Sequence, residues 1–322
     1  MDKVIVTRKI PQKFIEQLEQ SYEVYMWDEA YEPMPRDQFL ESIKDATACF
    51  ITLSEKIDDT VIDQAPNLKV IANMAVGFDN IDVSLAQSRG IVVTNTPKVL
   101  TETTAELGFT LMLTVARRIV EAEHYVQQGD WQSWAPYLLA GKDLFNSKVG
   151  IYGMGDIGKA FARRLKGFNT QVMYHNRTRN RHAEEKLGAL YVPFDTLIEH
   201  SDFIICTAPL TEETRNKFDK PVFEKMKSDA IFINIGRGAV VDEKALIDAL
   251  QNKEIAGCGL DVLRKEPIDM SHPLLKMDNV VILPHIGSAS VTTRDRMVQL
   301  CVDNITRVLN NQPPKTPVQL DD

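Results

Sequence analysis

The chain has 322 residues, 44% of them hydrophobic and 25% charged, with 37 Lys and Arg against 45 Asp and Glu for a net charge of −8. That length suggests two domains, the composition gives each an ordinary core, and the acidic balance argues against a nucleic-acid surface. No run approaches the roughly 18 apolar residues a membrane span needs and nothing near the start resembles a signal peptide, so a cytoplasmic protein without a membrane partner is expected.

Short β-branched runs alternate with helical patterns along the chain. Strands are expected at residues 4–7, 23–27, 48–53, 70–73 and 91–94, with amphipathic stretches between them such as 13–19 and 61–64. This alternation predicts a parallel sheet with helical crossovers. A long helical pattern follows at 101–127, with Leu107, Phe109, Leu111, Met112, Leu113 and Val115 spread around much of its circumference. Such a helix is expected to be buried on several sides, between domains or in a subunit interface. Trp131, Trp134 and Tyr137 then fall in one loop and read as interface anchors. A second series of strands is expected at 148–152, 170–174, 203–207, 230–235, 255–260 and 280–283.

The first strand of that second series runs into Gly153-Met154-Gly155-Asp156-Ile157-Gly158, and Ala160, Phe161, Ala162 and Leu165 follow at helical spacing. A bare GxGxxG is weak evidence; between an apolar strand and an amphipathic helix it reads as a dinucleotide fingerprint. Gly153 is expected to make the tight turn, Gly155 to let the backbone approach a pyrophosphate, and Gly158 to allow close helix–strand packing. The helix N-terminus would offer its N–H groups to the anion. An NAD site usually carries an acid about 20 residues further on. None occurs from Thr170 to Ala183, and the strand instead ends in Asn176-Arg177-Thr178-Arg179. An acid would repel a 2′-phosphate while Arg177, Thr178 and Arg179 could bind one, so NADPH is expected in preference to NADH.

Three islands near the C-terminal end each place a functional side chain just beyond an apolar run: Arg237 in Asn234-Ile235-Gly236-Arg237-Gly238, Glu266 after Leu260-Asp261, and His285 in Leu283-Pro284-His285-Ile286-Gly287. The trio suits reduction of a carbonyl next to a carboxylate. A guanidinium can grip the carboxylate and polarise the carbonyl, an imidazole can deliver a proton at neutral pH, and a carboxylate behind it can fix the tautomer and favour the charged form. Each residue alone has a duller reading, as a surface charge, a loop acid or a satisfied core histidine. Their order behind a nucleotide fingerprint favours the functional one. The other histidines, at 124, 175, 182, 200 and 272, read as structural or exposed. The cysteines at 49, 206, 258 and 301 lack ligand spacing, the first three read as buried thiols, and no metal is expected.

Together these motifs resemble the D-isomer-specific 2-hydroxyacid dehydrogenases, and within them the glyoxylate/hydroxypyruvate reductase group. The resemblance also covers residues 73–82 (Asn73-Met74-Ala75-Val76-Gly77 onward), 96–106 and 208–214. It implies an α/β protein of two doubly wound parallel-sheet domains with a cleft between them. Residues 1–98 and 288–322 would form the flavodoxin-like substrate domain, and 99–287 the Rossmann nucleotide domain, including a dimerisation helix and loop at 101–145. It implies a homodimer, with Arg237 as substrate-binding cation and His285 and Glu266 as the proton-donor pair. The backbone at Val76 and Gly77, Leu53, and Trp134 of the partner subunit would complete the substrate pocket. Thr207, Ala208, Pro209, Ile235, Gly236, Asp261 and Gly287 would border the nucleotide, together with Arg237 and His285. Two alternatives remain: an NAD-linked dehydrogenase of the D-lactate type, and a dinucleotide-sensing protein of the corepressor kind.

Overall fold

The computed structural model describes residues 1–320. The chain forms two compact units, one of residues Met1–Leu100 joined by the chain from Ser290 onward, the other of Thr101–Ala289.

In the first unit, strands and helices alternate as β1 (Lys3–Val6), α1 (Gln12–Glu19), β2 (Glu23–Met26), α2 (Arg36–Ile43), β3 (Ala48–Ile51), α3 (Asp59–Gln64), β4 (Val70–Asn73), α4 (Val83–Ser88) and β5 (Val92–Thr94). The five strands form one parallel sheet in the order β2-β1-β3-β4-β5. Residues of β3 and β4 are buried on both faces, as a parallel sheet covered by helices requires. Asp58 and Asp82 start α3 and α4 by accepting the N–H of Val61 and Leu85.

The second unit begins with α5 (Thr101–Ala116) and α6 (Ile119–Gln127), and continues with β6 (Lys148–Tyr152), α7 (Asp156–Leu165), β7 (Gln171–His175), α8 (Arg181–Leu187), β8 (Leu190–Tyr191), α9 (Phe194–His200) and β9 (Phe203–Cys206). Then come α10 (Lys220–Lys225), β10 (Ile231–Asn234), α11 (Glu243–Gln251), β11 (Gly257–Leu260) and β12 (Val280–Ile282), before α12 (Val291–Leu309) returns to the first unit. Seven parallel strands lie in the order β12-β11-β10-β9-β6-β7-β8. The order reverses between β6 and β9, the point where an open α/β sheet leaves a crevice beyond its strand ends.

The expected 101–127 helix is two helices. Arg118 takes a left-handed φ of 53° and starts α6, and Arg117 and Arg118 lie between the two elements. The burial of α5 is a stripe through Thr104, Ala105, Gly108, Leu111, Met112, Val115 and Ala116, and it packs on α7, β10 and β11. Phe109 and Leu113 are only partly covered. The short edge strand β8 had no expectation in the sequence, because two residues are too few to show alternation. All four cysteines are buried and free. Among the described residues no helix is long and apolar enough to cross a membrane, and no three His, Cys, Asp or Glu side chains gather as a metal site.

Candidate active site

At the head of β6 the chain turns at Gly153 with φ +103°, and a Cβ there would stand 2.8 Å from the Ala208 nitrogen. A Cβ on Gly158 would meet the Gly153 carbonyl oxygen at 2.4 Å, so the first turn of α7 lies directly on the strand end. Gly155 differs: nothing lies within 4 Å of its Cβ position. It is the N-cap of α7 and makes no side-chain cap bond, whereas Asp242 at the start of α11 accepts from Lys244 and Ala245. Asp156 and Ile157 form the first helical turn. An uncapped N-terminus facing open space fits the pyrophosphate of a dinucleotide.

Beside this turn is a cavity of about 340 Å³ lined by Tyr152, Gly153, Gly155, His175, Asn176, Arg177 and Thr178 and, after β9, by Thr207, Ala208, Pro209, Thr211, Glu213 and Thr214. Thr207 donates its hydroxyl to the Gly153 carbonyl, tying the two sides of the crevice. Met154 is fully buried and clamped at both ends of its backbone. Its N–H donates to Asn176 at 2.6 Å and its carbonyl accepts from the Asn180 amide at 2.8 Å.

Arg179 departs from its expected place. It does not line the cavity; its guanidinium grips Glu184 through Nε at 3.0 Å and Nη2 at 2.7 Å, and stands over the Tyr191 ring. The buried Tyr174 hydroxyl donates to the same carboxylate at 2.7 Å and accepts the Asn180 N–H. The Arg179 hydrogen bonds, followed by that of Tyr174, hold the Glu184 carboxyl down at about 2. Arg177 and Thr178 are thus the cavity-facing members of the basic strand end. His175, expected to be structural or exposed, also lines the cavity.

At the far side of the crevice, β10 ends on Asn234, whose amide donates to the Arg237 carbonyl at 3.0 Å while its Oδ1 accepts from Gly236. A Cβ on Gly236 would meet the Ala208 carbonyl oxygen at 2.6 Å, and Ile235 is buried. This side-chain knot sets the turn from which Arg237 projects, half-buried. β11 ends at Asp261, 2% exposed, whose two carboxylate oxygens accept the N–H groups of Ile286 and Gly287 at 2.8 Å each. Burial pushes this carboxyl up, against the two N–H bonds and His285. Asp261 therefore holds the loop after β12, in which His285 takes φ 54°.

The His285 Nδ1 lies 2.8 Å from the Glu266 Oε2, and the other Glu266 oxygen accepts the Leu263 N–H at 2.8 Å. Burial alone would raise the Glu266 carboxyl; the His285 hydrogen bond and charge more than offset this and hold it below the usual carboxylate range. A carboxylate that only accepts places the proton on Nδ1 and leaves Nε2 as the exchanging nitrogen. Arg237 contributes to the same electrostatic environment, since its charge also lowers Glu266.

In the first unit, Val76 and Gly77 follow β4. Their carbonyl oxygens accept from Asn95 at 2.8 Å and Asn73 at 2.9 Å, and their N–H groups have no acceptor among the described residues. Leu53 is 36% exposed, and in the second unit Trp134 is 80% exposed. Sequence reasoning missed Asn180, Tyr174, Glu184 and His175. Asn180 carried a readable signal as the N-cap of α8, where it accepts from Ala183; the role of Glu184 depends on a tertiary pair with Tyr174.

Residues 109–287 match the family model for the NAD-binding domain of D-isomer specific 2-hydroxyacid dehydrogenases. The fold, the glycine turn and this match define an NAD(P)-dependent dehydrogenase. The chain is 45% identical to the glyoxylate reductase of Pyrococcus furiosus over 320 residues, 98% of this chain and 95% of that one. It is 42% identical to the glyoxylate reductase of Aeropyrum pernix, covering 97% and 94%. Among solved structures, a Thermus thermophilus protein superposes with TM-score 0.92 at 40% identity, covering 98% of this chain and all of that one. The NADPH-dependent glyoxylate/hydroxypyruvate reductase of Sinorhizobium meliloti, in complex with NADP and malonate, gives 0.84 at 36% identity, covering 98% and 96%. The chain belongs to the D-isomer specific 2-hydroxyacid dehydrogenase family.

Proposed function

We propose that this dehydrogenase reduces short 2-oxo acids, glyoxylate and hydroxypyruvate, to the corresponding 2-hydroxy acids, with NADPH as the preferred cofactor. The observation that carries the reading is the His285–Glu266 pair, 2.8 Å apart and anchored through Leu263, at the carboxyl edge of the sheet that bears the glycine turn. When bound, the reduced nicotinamide supplies the hydride to the carbonyl carbon. Arg237 grips the substrate carboxylate and polarises the carbonyl oxygen. His285 holds a proton on Nε2 and delivers it to that oxygen as negative charge develops there. Glu266 keeps the ring in the tautomer and orientation this transfer needs.

Arg177 and Thr178, with no acid on their loop between residues 170 and 183, support the NADPH preference. So does the NADPH dependence of the similar Sinorhizobium enzyme. The exposed Trp131, Trp134 and Tyr137, at 59%, 80% and 88%, support a homodimer in which this loop reaches the second subunit and Trp134 closes its substrate pocket. The test is loss of NADPH absorbance with glyoxylate and with hydroxypyruvate, NADH run in parallel. Fast turnover with NADPH supports the whole reading. Fast turnover with NADH alone removes the cofactor preference, and dinucleotide binding without turnover on any short 2-oxo acid removes the substrate class.

A further inference from the structure

Among the described residues, five buried side-chain polar atoms make no hydrogen bond: Arg8 Nε, Glu55 Oε1, Asn73 Oδ1, Asn80 Oδ1 and Thr96 Oγ1. All five belong to the first unit, and each stands at or after the carboxyl end of β1, β3, β4 or β5. Buried polar groups are nearly always satisfied, so their gathering along one sheet edge needs a reason. In the order β2-β1-β3-β4-β5 the winding reverses between β1 and β3, and an open α/β sheet takes its ligand beyond the strand ends at such a point. Arg8 follows β1 and residues 52–55 follow β3, so the two segments flank the reversal.

Arg8, Glu55 and Asn80 belong to one network. The loop 52–55 closes on Glu55, which is 5% exposed and whose Oε2 accepts the Thr52 N–H at 2.7 Å and the Thr52 hydroxyl at 2.9 Å. The Asn80 amide donates to the carbonyl oxygens of Thr52 at 3.2 Å and Glu55 at 2.9 Å. From the side of β1, Arg8 Nη2 donates to the Ser54 hydroxyl at 3.1 Å and lies 3.9 Å from Glu55 Oε1. Three segments distant in sequence thus hold one short loop. A buried charge pair adds little to stability, because an apolar pair of similar size often does as well. What this pair fixes is the shape of the loop.

We propose that Glu55 is a positioning residue for the 2-oxo acid: paired with Arg8 and braced by Asn80, it fixes the loop after β3, and the fixed loop sets substrate affinity. The inference rests on the function proposed above. Glu55 is too deeply buried to meet a substrate and acts through the loop. The His285–Glu266 pair and the glycine turn belong to the second unit, so neither proton transfer nor dinucleotide binding should follow a change at Glu55.

The experiment compares the wild type with Glu55→Gln, which keeps the side-chain size and an oxygen to accept from Thr52 but loses the charge facing Arg8. KM for glyoxylate should rise about tenfold, while kcat and the calorimetric Kd for NADPH stay within about twofold of the wild type. Oxamate, which carries the carboxylate and carbonyl of a 2-oxo acid but takes no hydride, should lose calorimetric affinity for the NADP⁺ complex by the same factor. Arg8→Met leaves Glu55 without its cation and should raise KM at least as much. The double variant should raise it by much less than the product of the two, because both ends of the pair leave together. Should Glu55→Gln not fold, Arg8→Lys carries the same expectation, since a single ammonium lacks the fork that reaches both Ser54 and Glu55. A lowered Tm with KM and oxamate affinity unchanged would make the network merely structural and overturn the proposal, as would single effects that simply multiply. A wild type that reduces no short 2-oxo acid and binds no oxamate overturns the proposed function and this inference with it. A wild type that does both, with variants that match it, overturns this inference alone.

Discussion

Single residues carry the proposed chemistry, and their neighbours make the expected effects specific. Replacing His285 with Ala removes the proton donor, so kcat for 2-oxo acid reduction should fall by roughly 10²–10⁴-fold while dinucleotide binding survives. Steady-state kinetics paired with calorimetry decides this, and a near-normal kcat would remove His285 from the mechanism. Glu266→Gln keeps a partner for the ring but loses the charge, so its loss should be smaller than that of His285→Ala. At the glycine turn, a methyl group on Gly158 would sit 2.4 Å from the Gly153 carbonyl. Because that neighbour is backbone, α7 must shift away from β6. Gly158→Ala should therefore weaken dinucleotide binding by at least about tenfold; unchanged affinity would show that the crevice tolerates the displacement.

Among elements, the segment from β7 into α8 is the most tightly tied. Tyr174, Glu184, Arg179 and Asn180 bond to one another, and Asn176 and Asn180 hold the glycine turn through Met154. The Glu184 carboxyl lies at about 2 in the folded chain against an ordinary 4.5. Its folded value is depressed, so the stabilisation it brings is complete above about pH 5 and drains away as pH falls through 4.5 toward 2. Thermal unfolding should show Glu184→Gln melting below the wild type at neutral pH, with the gap closing as the solution is acidified through that window. A gap that stays constant would mean that the carboxylate charge does not stabilise the segment.

This network also marks where sequence reading stops at the element scale. The strand of β7 and the basic residues after it were legible from composition and spacing alone. That Arg179 turns to Glu184 while Arg177 faces the cavity was not, because both are exposed arginines two residues apart and only the position of Tyr174 and Glu184 separates them. The 101–127 pattern misled for a similar reason. Apolar periodicity continued past Arg117, and nothing in the residue types announced that Arg118 would adopt a left-handed φ.

On the scale of the molecule, the two units have separate cores. In the first, residues such as Ile5, Phe39, Ile51 and Ile71 pack on one face of the sheet and Phe14, Phe50 and Ile305 on the other. In the second, Phe161 and Tyr174 lie on one face, and Phe218 and Phe232 on the other. The aromatic loop at 131–137 is exposed, in contrast to these cores. If a second copy covers it, Trp131→Ser with Trp134→Ser should shift the mass in light scattering from dimer to monomer. A monomeric wild type, or a variant that stays dimeric, would end the assembly proposal. Activity of a monomeric variant would also test the Trp134 contribution, which should appear as a raised KM for the 2-oxo acid.

The alternation of short β-branched runs with amphipathic stretches determined two parallel α/β sheets, because strand and helix periods are local properties of the chain. The glycine spacing determined a nucleotide turn, since only glycine fits at Gly153 and Gly158. The order of Arg237, Glu266 and His285 pointed to one chemistry. Tertiary structure alone decided the rest: that Glu266 meets His285, that Asp261 holds the loop behind it, that Arg179 is tied back and that His175 enters the cavity. Each of these depends on the direction of a side chain across neighbouring strand ends. Those directions are set by strand register and loop packing between segments far apart in the chain, which no local pattern encodes.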